Sequence, residues 1–126
     1  MSTDLDHLRK AEYNEEFCLS FDLDSTPYLD WVVNGVFYSA LHYIESYLAT
    51  QGKHPITHGI RNAEIKNDPN LGRYIFRKIN SLKDDSESGR YLMKNFTPGE
   101  IRQFIIPELD NIKAYLKQYI PQIRLA

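Results

Sequence analysis

The chain of 126 residues is short of several things that would narrow its class at once. It has one cysteine, Cys18, so no internal disulfide can form and no cysteine-cluster zinc site can be built. No apolar run approaches the roughly 18–20 residues of a membrane span, so no membrane association is expected. The N-terminal stretch Met1–Asp6 has no apolar segment and reads as no secretory signal. A cytosolic location is the default for such a chain. Net charge is only −2, which gives no global basic signature for nucleic acid. Glycine and proline number six each and form no linker or low-complexity tract, which leaves a single domain over residues 1–126. No Gly-x-Ser-x-Gly elbow, glycine-rich phosphate loop or dinucleotide fingerprint is present.

Tyrosine, by contrast, is plentiful: nine residues against one tryptophan. Charge is also unevenly placed. Residues 1–50 carry two basic and nine acidic groups, and the remainder carries thirteen basic and eight acidic. An acidic first part folding against a basic second part satisfies this pattern, and so does a basic face offered to a partner.

Apolar spacing is helical almost throughout, which predicts an all-α, up-and-down bundle of about four long helices and one or two short ones. A first helix starts near Thr3 or Asp4, with Leu5, Leu8, Tyr13, Phe17 and Phe21 as its apolar stripes. A second is capped by Ser25 or Thr26, opened by Pro27 and stopped by Gly52. It is apolar nearly all round, as a central or interface helix is. A short helix is expected around His58–Lys66. Another is capped by Asp68 and opened by Pro69, with Leu71, Ile75, Ile79 and Leu82 buried. Asp84–Gly89 reads as a turn before a short helical piece through Arg90–Asn95. The last helix opens at Thr97-Pro98-Gly99-Glu100 as a capping box, is kinked near Gln103 by Pro107 and ends at Pro121.

Candidate chemistry gathers on the second helix and the loop after it. Tyr38, His42, Glu45 and Ser46 share one side, where Glu45 is within reach of His42. His54, His58 and Arg61 follow, a set suited to proton transfer or anion binding. His42, Glu45, His54 and His58 carry donors of the kind zinc uses, but Pro55 opposes one regular helix through both later histidines, so no metal and no cofactor are expected. Arg61, Lys66, Arg73, Arg77, Lys78 and Arg90 are the cations available to a phosphate. Cys18 sits among apolar residues and is expected to be buried and inert.

Four features in this order resemble a HEPN domain (higher eukaryotes and prokaryotes nucleotide-binding). They are the apolar run Val36–Leu48, the loop Gly52…His54-Pro55…Thr57-His58, the pair Arg90-Tyr91 before a Thr-x-x-Glu cap, and the final helix with Ile112 and Tyr115-Leu116. The resemblance spans roughly residues 27–120. It implies a helical bundle, usually a homodimer, in a family that includes RNA-cleaving toxins, defence proteins and non-catalytic partners of nucleotidyltransferase-like proteins. The ribonuclease members carry an Arg, often followed by Asn, with a His a few residues on. Here Arg61-Asn62 is followed by Ala63-Glu64-Ile65-Lys66, and Arg90 by Tyr91-Leu92-Met93-Lys94-Asn95-Phe96, neither with a histidine. Metal-independent RNA cleavage needs a group that exchanges protons near neutral pH. The expectation is therefore a homodimeric RNA-, nucleotide- or protein-binding module of a toxin–antitoxin, defence or stress system. Its ligand-binding residues are Tyr38, His42, Glu45, Arg61, Arg90 and Tyr91. The alternatives are a divergent ribonuclease using His54, His58 and Arg61, or a scaffold or immunity-type partner.

Overall fold

The structure, a computed structural model, describes residues 3–125; Met1, Ser2 and Ala126 lie outside it. The described residues form helices and no strands: α1 (Asp4–Leu19), α2 (Leu29–Thr50), α3 (His58–Asn67), α4 (Gly72–Tyr91) and a last helix, α5, over residues 98–116. The all-α bundle of four long helices and one short one is as the spacing predicts. Buried residues of α2 lie on every side of it, from Val32 to Leu48, so it is the central helix, with α1, α4 and α5 packed around it and α3 against α4.

Helix α1 starts as expected, with a full capping box between Thr3 and Asp6. Its buried face is not the aromatic stripe. Tyr13, Phe17 and Leu5 are exposed, and Leu8, Ala11 and Cys18 face inward. The reason is close packing. Gly35 of α2 lies so near Cys18 that a β-carbon on Gly35 would fall 2.6 Å from the Cys18 β-carbon. The Ser39 hydroxyl donates to the Ala11 carbonyl (2.9 Å) and the Ser46 hydroxyl to the Asp4 carbonyl (2.9 Å). These contacts pair the end of one helix with the start of the other, so α1 and α2 run antiparallel, and small residues bring their backbones together where large rings would separate them.

Several boundaries differ from the expectation. Helix α2 begins at Leu29 and not at Pro27, because Thr26 Oγ1 accepts from the Tyr28 N–H and holds a turn ahead of the helix. Asp68 caps a turn and not α4 directly: its Oδ1 accepts from the N–H groups of Asn70 and Leu71, and Gly72, at φ 52°, redirects the chain into α4. Residues Asp84–Gly89 are helical, not a turn. Ser86 is buried and donates to Asn34 Oδ1 on α2, while Gly89 is small to admit Phe96 and Asp30. The predicted helical piece from Arg90 to Asn95 ends at Tyr91. There the Ser88 carbonyl accepts from both Leu92 and Lys94, and Met93 turns left-handed at φ 54°.

In α5, Thr97 accepts from the Glu100 N–H, and Pro98 fills the first position. Where a kink near Gln103 is expected, the structure has a π-helical turn ahead of Pro107. Lacking an N–H for the Gln103 carbonyl, Pro107 is preceded by this turn, over Ile101–Ile105, in which the Ile106 N–H reaches back to Ile101. Ile101, Ile105, Leu109, Ile112 and Leu116 are buried below it. The helix ends at Leu116, ahead of Pro121. A polar tie joins three helices beneath: Lys113 Nζ lies 2.7 Å from Glu15 Oε2, and the Tyr43 hydroxyl donates to Glu15 Oε1 (2.6 Å). No helix is long and apolar enough to cross a membrane.

Two outcomes test this packing. Gly35→Ala must push α1 off α2 and is expected to lower unfolding free energy by about 1–3 kcal/mol in urea titration, whereas Gly59→Ala, which meets nothing within 4 Å, is expected to leave it within about 1 kcal/mol. Burial pushes the Cys18 thiol up to about 12, so the folded protein is expected to leave a thiol reagent unconsumed at pH 8 and to react with one equivalent once unfolded.

Candidate functional site

The α1–α2 register carries His7 to His42. His7 Nδ1 lies 3.3 Å from His42 Nδ1 and 3.2 Å from Glu45 Oε2. The two rings stack with centroids 5.6 Å apart. Glu45 stands one turn beyond His42 on α2, as the i, i+3 spacing requires. Its second oxygen, Oε1, is 3.1 Å from Nε of Arg61. That contact is ionic and not a hydrogen bond, because the Nε–H is not aimed at the oxygen and finds no other acceptor. Arg61 reaches this point from α3, where Thr57 caps the helix by accepting from the Ile60 N–H. Arg61 Nη1 in turn donates to Nδ1 of His58 (2.7 Å). A continuous chain of contacts therefore runs His42–His7–Glu45–Arg61–His58.

Burial lowers the proton affinity of His42 to a pKa of about 4, and the nearby positive charges of His7, Lys10 and Arg61 act in the same direction. Glu45, within reach of His42 by spacing, does not pair with it; the carboxylate instead serves His7 and Arg61.

His58 also belongs to a second feature. A cleft of about 210 Å³ is lined by Phe37, Tyr38, His58, Lys83, Glu87, Arg90 and Tyr91. Helices α2, α3 and α4 each contribute to it. Arg90 Nη1 donates to the Tyr38 hydroxyl (3.4 Å), and its guanidinium lies 5.1 Å from the centre of the Tyr91 ring. On the far side, Arg90 also lines a groove of about 530 Å³ between residues 26–30 and 89–96.

The six expected binding residues thus fall into two adjoining groups. His42, Glu45 and Arg61 form the inner one, Tyr38, Arg90 and Tyr91 line the outer one, and His58 joins them. His54 is exposed, makes no hydrogen bond or ion pair among the described residues, and is not part of the cleft. Of the six expected phosphate cations, Arg61 and Lys78 are turned to acidic partners, Glu45 and Glu108. Arg73, Arg77 and Lys66 are exposed outside the cleft. Sequence reasoning missed His7, Lys83 and Glu87. The signal for His7 was the row of small residues Gly35, Ser39 and Ser46 on the His42 side of α2, which marks where another helix comes close.

No family description, curated protein or solved structure matches this chain.

Glu45→Ala removes the partner of both Arg61 and His7, and is expected to cost about 1–3 kcal/mol of stability by chemical denaturation. Because the unfolded His42 takes up a proton near its ordinary value of 6.5 and the folded one only near 4, the folded state loses stability as pH falls between these values. His42→Asn is expected to flatten that slope by up to one proton in urea midpoints measured from pH 7 to pH 4.

Proposed function

We propose that this protein is a HEPN-like, homodimeric module that binds the phosphate backbone of RNA in the Tyr38–His58–Arg90 cleft. The observation that carries the reading is the cleft itself. Three helices bring Arg90, Lys83 and His58 around Tyr38 and Tyr91, with Glu87 as the one acidic member. Cations beside aromatic faces are the combination that holds a phosphate while a base stacks. Arg90 is exposed and free of any carboxylate among the described residues, so its charge is available to a ligand.

The dimer part rests on the family resemblance and on one surface feature. Tyr91, which lines the cleft, and Leu92 and Met93 next to it in the chain stand 72%, 77% and 84% exposed, an apolar run that a second copy would cover. The ribonuclease alternative is less well supported: His54 stands apart, and His58 is the single histidine at the cleft.

A fluorescein-labelled single-stranded RNA, followed by anisotropy at several salt concentrations, tests the proposal. Binding should weaken with salt, and Arg90→Ala should reduce affinity about tenfold and lower the salt slope by about one. Absence of binding overturns the reading. Shortening of the RNA on a gel replaces it with the ribonuclease. Sedimentation should show a two-chain species, and a monomer at high concentration removes the homodimer.

A further inference from the structure

We propose that His7, His42 and Glu45 form a site for one divalent transition-metal ion of the zinc class. The site is distinct from the phosphate cleft and does not depend on that reading.

The case starts from the atoms that meet. One ligand atom from each residue converges, the three lying within 4.8 Å of one another. The closest pairs, His7 Nδ1 to His42 Nδ1 at 3.3 Å and His7 Nδ1 to Glu45 Oε2 at 3.2 Å, are the informative ones. Zinc bound tetrahedrally at about 2.0–2.1 Å places neighbouring ligand atoms about 3.3–3.4 Å apart. Two edges of the ligand set therefore already match, and a small rotation of the Glu45 or His42 side chain brings in the third.

Protonation points the same way. At most one ring proton lies between His7 Nδ1 and His42 Nδ1, and His7 Nδ1 also faces a carboxylate oxygen. One cation in place of that proton satisfies all three lone pairs together.

The surroundings suit a ligand set. His7 and His42 sit on two helices locked together by the Ser39 and Ser46 hydroxyls, which holds their separation. Arg61 occupies Glu45 Oε1 and leaves Oε2 for the ion, the role an outer partner plays in orienting a ligating carboxylate. Arg61 and Lys10 are positive and oppose a cation here, so binding has to come from the nitrogen donors. Nitrogen donors disfavour magnesium and calcium, which take oxygen. His7 and Glu45 keep 15% and 12% of their side-chain surface exposed, enough for an ion to enter and for a fourth, exogenous ligand.

The test uses full-length protein stripped with a chelator and titrated with Co²⁺, read by visible absorption, and with Zn²⁺, read by calorimetry. One ion per chain is expected, with the intense bands of tetrahedral cobalt. His7→Gln and Glu45→Gln should each weaken binding at least tenfold, while His54→Gln should leave it unchanged. Imidazole ¹⁵N spectra of the wild type keep the test independent of whether a variant folds: Zn²⁺ should move the Nδ1 signals of His7 and His42 and not those of His54. No binding by the wild type overturns the proposal, as does binding that survives His7→Gln or that moves only the His54 and His58 signals.

Discussion

The close approach of α1 to α2 is the constraint on which the rest depends. Gly35 against Cys18, Ser39 against the Ala11 carbonyl and Ser46 against the Asp4 carbonyl hold the two backbones in one register. A larger residue at any of these places separates the helices or leaves a polar group unpaired. Because the register is fixed, His7 has no choice but to meet His42, and Glu15 is carried to Tyr43 and Lys113. The apolar side of α2 that this pairing leaves free then receives α4 and α5. Functional geometry here is thus a by-product of helix packing, set by residues that carry no chemistry themselves.

Part of the charge asymmetry is met inside the molecule. Acidic groups of the first fifty residues meet basic groups of the remainder: Glu15 with Lys113, Asp24 with Arg102, Glu45 with Arg61. The three pairs differ in weight. Asp24–Arg102 is bidentate but exposed, and contributes little. Lys113 is 4% exposed, and loss of Glu15 would strand its charge. Glu45 divides its two oxygens between Arg61 and His7, so one carboxylate joins three helices and orients two candidate functional side chains. Three of the thirteen basic groups are engaged in this way; among the described residues Arg90, like Lys66, Arg73 and Arg77, meets no carboxylate, and of these four it alone lines the cleft.

Much of the fold was legible because helix signals are local. The stripes of α2, α4 and α5, the Thr97 cap, the stop at Gly52 and the distortion ahead of Pro107 all follow from residues within a turn or two of each other. What failed depended on distant partners. Asp84–Gly89 has the composition of a turn, yet Asn34 and Phe96, more than fifty residues back and a few ahead, make Ser86 and Gly89 good helix residues. In α1 the large aromatics outweigh Ala11 and Cys18 in any hydrophobic stripe, but closeness to Gly35 favours the small side chains. The site followed the same division. His42 and Glu45 share a helix and were visible together; His7, thirty-five residues earlier, needed the tertiary register.

Tyrosine shows how one residue type is divided between packing and binding. Tyr43 and Tyr47 are buried, with hydroxyls on Glu15 and Asp68; Tyr119 packs at a tilt against Tyr47 and Tyr115 against Tyr119, the hydroxyl of Tyr115 on the Asn70 carbonyl. In these seams the apolar ring fills space and the polar tip ties a second helix. Tyr38 has the same design, half-buried, but its hydroxyl accepts from Arg90, a group facing solvent. Tyr91 has no such anchor and is held only by the guanidinium over its ring. The gradient from Tyr43 to Tyr91 is one of decreasing internal satisfaction. A ring whose polar tip is already engaged in the core has nothing left for a ligand, so the binding capacity of the tyrosine surplus lies at the end of that gradient, in the cleft where Arg90 stands between Tyr38 and Tyr91.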